Sequence, residues 1–220
     1  GDLGPMRAAF EKVVALALRL RTQGHAIRRI DVGGGLGIPY KEGDAPAPPS
    51  AYAAMISEVT AGHGFDVILE PGRVIAGNAG VMLTTALYEK QAPDRTFLII
   101  DAGMNDLIRP ALYGAHHDIV PVSEPAPGHP SKTYDVVGPI CESTDKFAAG
   151  RSLPEVSPGE RLAFMSAGAY GAVLSSAYNA RPLVPEVLVD GDQYAIVRRR
   201  PSFEELVALE QVPAWLTTVA

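Results

Sequence analysis

The stretch Arg29-Ile30-Asp31-Val32-Gly33-Gly34-Gly35-Leu36-Gly37 decides how this sequence is read. It has an echo in Asp66-Val67-Ile68-Leu69-Glu70-Pro71-Gly72-Arg73. In each, a short apolar run of the kind that forms a buried strand leads into a loop of glycine or charge. A helical pattern lies between them. Strand, glycine loop, helix, strand and charged loop make a βαβ unit, with its chemistry at the carboxyl ends of the strands. Three consecutive glycines let the backbone approach a ligand closely and take positive φ. Successive exposed N–H groups then form an anion-binding concavity suited to a phosphate. A glycine turn that merely redirects the chain has the same composition, and for this loop alone both readings stand. The dinucleotide fingerprint does not fit: Ile38 holds the third glycine position and Pro39 follows where a helix should start. In the second loop Pro71 and Gly72 force a turn directly after the strand. Glu70 and Arg73 then lie near one another at the strand mouth, as a plain ion pair or as charges for a ligand.

Outward from this unit, Phe10, Val13, Val14, Ala17 and Leu20 mark one face of a helix from Met6 to about Thr22. Asp2 is a candidate cap, Pro5 lies in the first turn and Gly24 ends the helix. The segment Lys41 to Pro49 is rich in proline and acid and reads as an exposed loop. A second helix runs from about Ser50 to Ala61, with Tyr52, Met55, Ile56 and Val59 inward. Beyond Gly77 the pattern changes. Short β-branched and aromatic runs follow at Val81–Tyr88, Thr96–Ile100, Ile119–Val122, Tyr134–Val137, Arg161–Phe164, Val187–Val189 and Tyr194–Val197. Breakers separate them, including Asp190-Gly191-Asp192. This reads as an all-β domain closed by a short helix with a capping box at Ser202 and Glu205. The expected division is 1–78 for the βα units and 79–220 for the β domain.

The composition excludes several functions. A net charge of −6 over 220 residues, with no basic cluster, argues against a nucleic-acid partner. The longest uncharged run, Leu162 to Ala180, is rich in Gly, Ser and Tyr and carries Asn179, so no membrane span is expected. The single cysteine, Cys141, leaves no internal disulfide framework and suits a reducing, cytoplasmic setting.

Three clusters in the β region carry further candidate chemistry: Asp101-Ala102-Gly103-Met104-Asn105-Asp106-Leu107-Ile108-Arg109-Pro110-Ala111-Leu112-Tyr113, Gly138-Pro139-Ile140-Cys141-Glu142-Ser143-Thr144-Asp145 and Ala167-Gly168-Ala169-Tyr170-Gly171. Singly each has an ordinary reading. Arg109 suits a surface cation, Tyr113 and Tyr170 suit core aromatics with a wet hydroxyl, and Cys141 suits a small buried hydrophobe. Jointly, and with the two loops above, they resemble the alanine-racemase-like, fold-type III enzymes that use pyridoxal 5'-phosphate (PLP). Within that superfamily the sequence resembles the diaminopimelate decarboxylases, over nearly its whole length and in the family's order.

The resemblance implies a fold and a set of roles. The fold would be the last βα units of a PLP-binding (β/α)8 barrel, followed by a β-barrel or Greek-key-like domain. Gly33, Gly34 and Gly35 would hold the cofactor phosphate, in the loop completed by Glu70, Pro71, Gly72 and Arg73. Glu70 would keep the pyridine nitrogen protonated. Arg73, Arg109 and Tyr113 would grip the substrate's distal carboxylate, for which a guanidinium fork is suited. Tyr170 would contact cofactor phosphate or substrate. Cys141 would return a proton to the α-carbon after CO2 loss, and Glu142 would pair with the distal ammonium. The implied reaction is decarboxylation of meso-2,6-diaminopimelate to L-lysine, without a metal, in a homodimer with shared active sites. Ornithine-type decarboxylases resemble the chain at the glycine loop and at Glu-Pro-Gly-Arg. Their motif places Asp after the cysteine, and their substrate lacks a distal carboxylate. Cys141-Glu142 together with Arg109 and Tyr113 better complements a zwitterionic end. An ornithine, arginine or carboxynorspermidine decarboxylase, or a non-catalytic homologue, are the other readings.

The sequence departs from the family at one point. No position matches the Schiff-base lysine motif; Lys12, Lys41, Lys90, Lys132 and Lys146 lie in other contexts. The five histidines have no claim to the family's ring-stacking role, and His116 and His117 read as solvated loop residues. The expectation is a C-terminal half of a longer enzyme, inactive on its own.

Overall fold

The computed structural model describes residues 2–217, which divide into two compact units on either side of the Val81–Met82 bond. In the first unit the elements are α1 (Gly4–Thr22), β1 (Arg29–Asp31), α2 (Pro49–Thr60), β2 (Asp66–Ile68) and α3 (Gly72–Ala76). Strands β1 and β2 pair in parallel, with Ile30 opposite Val67. A parallel pair needs a crossover, and α2 supplies it. Phe10, Val14 and Ala17 of α1 and Tyr52, Met55 and Ile56 of α2 bury one apolar cluster with Ile30, Val32 and Leu36. Phe10 and Tyr52 meet edge to face at 6.2 Å. Arg21 pins the end of α1: its Nε donates to the Ile27 carbonyl and its Nη1 to the His63 carbonyl, each at 2.6 Å, while the guanidinium stacks on Phe65.

Two details of α1 differ from expectation. Val13 is exposed, because the 100° step per residue carries it off the stripe of Phe10, Val14 and Ala17. Asp2 lies one residue ahead of the N-cap, which is Leu3; its carboxylate instead accepts the Gly4 N–H at 2.8 Å.

The second unit holds β3 (Met82–Gln91), β4 (Thr96–Ile100), α4 (Arg109–Tyr113), β5 (Ile119–Pro121), β6 (Ser131–Val137), β7 (Lys146–Pro154) and β8 (Arg161–Phe164). Its six strands form one sheet in the order β5-β8-β3-β4-β6-β7. Only β4 with β6 is parallel; the other pairs are antiparallel. Strand β3 serves both halves, pairing β8 through Met82–Thr85 and β4 beyond Ala86. The edge strands β5 and β7 approach each other, so the sheet is nearly a closed barrel. Closure removes exposed strand edges. The barrel is filled by Leu98, Ile100, Tyr134, Val136, Phe147, Leu162 and Phe164, with the Phe147 and Phe164 rings 4.8 Å apart. A separate hairpin joins β9 (Glu186–Asp190) to β10 (Gln193–Arg198), with Gly191 turning at φ +58. Helices α5 (Phe203–Val207) and α6 (Ala214–Thr217) follow; the Ser202–Glu205 capping box forms at the start of α5.

The strands at Thr96–Ile100 and Arg161–Phe164 coincide with the sequence reading. Strand β7 was not anticipated, because Ala148, Ala149, Gly150 and Arg151 break its alternation. Pairing with β6 holds it in the sheet. The unit is also not wholly β, since α4 and single turns at 172–174 and 178–180 interrupt it. Among the described residues no helix is long and apolar enough to cross a membrane.

Candidate functional site

In the first unit both singled-out loops leave the carboxyl ends of β1 and β2, side by side. The Glu70 N–H donates to the Gly33 carbonyl at 2.8 Å, which extends the parallel pairing into the loops. Gly33 and Gly35 sit at φ +69 and +90, and a Cβ at Gly34 would collide with the Glu70 carbonyl oxygen. These positions therefore require glycine. The Gly33 N–H donates to the Asp31 carboxylate at 2.8 Å. The Gly34 and Gly35 N–H groups meet no acceptor among the described residues. Gly72 turns back onto the Glu70 carbonyl at 2.9 Å and opens α3. Glu70 is exposed and Arg73 half-buried.

In the second unit Arg109 and Tyr113 open and close α4, at the i, i+4 spacing that shares a helix face. The helix lies between Pro110 in its first turn and Gly114 in the left-handed region at its end. Arg109 is not a surface cation: it is 8% exposed, and its Nη1 lies 2.9 Å from His117 Nε2. His117, read from sequence as solvated, is 2% exposed, and its Nδ1 lies 2.8 Å from the Met165 carbonyl. His116 is the partly solvated member of the pair, 2.7 Å from the Asp118 carboxylate.

Cys141 and Glu142 lie on the loop between β6 and β7, both exposed. Asp145 builds that loop. Its carboxylate accepts the Ile140 N–H at 2.6 Å and the Met104 N–H at 2.7 Å, and its carbonyl accepts the Gly138 N–H. Burial pushes the Asp145 carboxyl above its ordinary value, opposed by those backbone donors. Gly138 is packed so closely on this carboxylate and on the Ala102 carbonyl that a Cβ would not fit. The Cys141 loop and the Asp101–Tyr113 segment are thus held together. Arg181 secures the same segment, donating to Asn105 Oδ1 at 3.1 Å and to the Asp101 carbonyl at 2.6 Å. Tyr170 stands at φ +59, a conformation that costs a non-glycine residue about 1–3 kcal/mol. It is 42% exposed and Tyr113 is 65% exposed, so neither is a core aromatic. The sequence reading missed Asp145 and His117 as site builders; both lie within or beside clusters it singled out.

Residues 16–168 match the family described as "Pyridoxal-dependent decarboxylase, C-terminal sheet domain". The chain belongs to the pyridoxal-dependent decarboxylases. It is 48% identical over 219 residues to diaminopimelate decarboxylase of Zymomonas mobilis, covering 98% of this chain and 51% of that protein. Among solved structures, the diaminopimelate decarboxylase of Helicobacter pylori complexed with L-lysine has a TM-score of 0.88 at 39% identity, covering 95% of this chain and 51% of that one. The M. jannaschii diaminopimelate decarboxylase, also with L-lysine, has a TM-score of 0.91 at 32% identity, covering 98% and 50%. This pyridoxal-dependent decarboxylase chain therefore spans about half the length of the relatives it matches. Its resemblance to the fold-type III enzymes holds, as does the fold of βα units followed by a β domain.

The residues present fit a pyridoxal phosphate. A phosphate needs close backbone N–H donors, and the Gly34 and Gly35 N–H groups supply them where side chains are excluded. A pyridinium needs a carboxylate, and Glu70 is fixed through its own backbone beside that loop.

Proposed function

We propose that this chain carries cofactor- and substrate-binding residues of an enzyme that decarboxylates meso-2,6-diaminopimelate to L-lysine and CO2, the last step of lysine biosynthesis. The observation that carries the reading is the Glu70–Gly33 hydrogen bond. It sets the glycine loop beside the Glu70 residue at one strand mouth. Relatives of this name, 40–48% identical, support the substrate. When bound, PLP supplies an electron sink for the pair left by the departing carboxylate.

The chain's own residues bind, orient and protonate. Gly34 and Gly35 would hold the phosphate through N–H groups, and Gly33, whose N–H is held by Asp31, would shape the turn that presents them. Glu70 would accept the N–H of a protonated pyridine nitrogen. Arg73, Arg109 and Tyr113 are the groups for the distal carboxylate, Arg offering two parallel N–H donors. Glu142 accepts the distal ammonium, and Tyr170 contacts phosphate or substrate. Cys141 delivers its Sγ proton to the α-carbon, as general acids do in such steps. Cys141 and Glu142 sit on an exposed hairpin loop, which suits donation to a second copy in a cytoplasmic homodimer.

The test is CO2 release by the full-length protein supplied with PLP, on meso-diaminopimelate against ornithine and arginine. Preference for diaminopimelate is expected. Preference for an amine-ended substrate would overturn the assignment.

A further inference from the structure

Arg109 is a buried cation, and in a low-dielectric setting its direction must be set by a partner. An arginine is always charged and only donates, so the 2.9 Å contact fixes the roles: Nη1 donates and His117 Nε2 accepts. His117 is then neutral, with its proton on Nδ1, and that proton goes to the Met165 carbonyl at 2.8 Å. Burial, the opposing Met165 bond and the neighbouring Arg109 charge leave the imidazole below its ordinary value, in keeping with this tautomer. Met165 in turn donates its N–H to the Asp118 carbonyl, which locks the end of β8 to the start of β5. Arg151 of β7 donates to the His117 carbonyl at 3.1 Å. Three strands of the barrel therefore fix the ring on which Arg109 leans.

We propose that His117 is the positioning residue for Arg109. As a neutral acceptor anchored on Met165, it holds one arm of the guanidinium and so sets the plane of the fork that receives the substrate's carboxylate. This rests on the assignment of Arg109 to that carboxylate. A histidine serves where a carboxylate would not. It supplies an acceptor and adds no charge of its own.

The test uses the full-length protein with PLP bound and measures equilibrium dissociation constants by calorimetry for two ligands. L-Lysine keeps a carboxylate; cadaverine is the same diamine without it. His117→Leu removes the acceptor. His117→Asn can reach Met165 but not Arg109, and His117→Gln can reach Arg109. Leu and Asn variants are expected to bind L-lysine about tenfold more weakly, the scale of a lost hydrogen bond to a charged group. Cadaverine binding should stay within about twofold, and the Gln variant should recover most of the lysine affinity. Adding His117→Leu to Arg109→Ala should cost nothing more, because the two act as one unit. Equal losses for both ligands would show a merely structural role and overturn the proposal. So would intact lysine binding in the Leu and Asn variants while Arg109→Ala loses it. Unchanged lysine binding in Arg109→Ala would overturn the underlying carboxylate assignment instead.

Discussion

At the scale of single residues, the chemistry of the site depends on where each side chain is held. Cys141 is exposed on the β6–β7 loop, free of a packing role, so its replacement tests chemistry alone. Cys141→Ala in the full-length, PLP-loaded protein is expected to lower kcat by about 10²-fold or more, the usual contribution of a positioned acid. L-Lysine binding should be unchanged; stopped-flow turnover and calorimetry would check the two halves separately. His117 gives a pH prediction. Its folded-state value lies below the ordinary 6.5, through burial and the Arg109 charge. The unfolded chain therefore binds the proton more readily in that window, and stability rises with pH up to about 6.5. The charged groups around it are Arg109 on α4, Arg151 on β7, and His116 and Asp118 on its own loop. Melting temperature measured from pH 7.5 downward should fall below about 6.5, and His117→Gln should flatten that slope.

At the scale of elements, two loops are specified by what they exclude. Gly34 packs on the Glu70 carbonyl, so Gly34→Ala must push the two strand mouths apart. The expected result is weakened PLP binding, read by fluorescence titration of the full-length protein, with far-UV circular dichroism preserved. The β6–β7 loop depends on Asp145, which accepts two backbone N–H groups from segments 36 residues apart, Met104 and Ile140. Asp145→Ala leaves the buried Ile140 donor and the part-buried Met104 donor without this partner, at about 1–3 kcal/mol for the buried one and less for the other. Chemical denaturation should show that loss, and hydrogen exchange should rise at Met104 and Ile140. The elements themselves were unequally legible. The helices α1 and α2 and the parallel pair announced themselves through long periodic faces and apolar runs. Strand β7 and helix α4 did not. The first has a mixed, glycine-broken sequence, and the second is a single turn too short to show a period.

At the scale of the whole molecule, apolar surface is the dominant fact. The β9–β10 hairpin exposes Val187, Leu188, Val189, Tyr194, Ile196 and Val197, with side chains of both faces in water. In the first unit Ile68, Leu69, Ile75 and Val81 are exposed too, and two parallel strands alone leave open edges. Patches of this kind drive association. The chain prepared by itself is expected to self-associate, and light scattering at micromolar concentration would show a mass above 23.2 kDa. A monodisperse, cooperatively melting sample would count against it.

What the sequence determined by itself was the local chemistry and its order along the chain. The βαβ unit, the glycine requirement at 33–35, the Glu-Pro-Gly-Arg turn and the five clusters all rest on neighbours within a few residues, where composition and spacing act directly. The tertiary structure decided which alternatives survived. Cys141 became an exposed loop residue and Arg109 a buried one, because their surroundings are built by strands far apart in sequence. His117 looked like a solvated member of a histidine pair. It is buried because the chain returns at Met165 to accept its proton and at Arg151 to hold its backbone. No local pattern encodes such a contact; it exists only once the sheet has brought β5, β7 and β8 together.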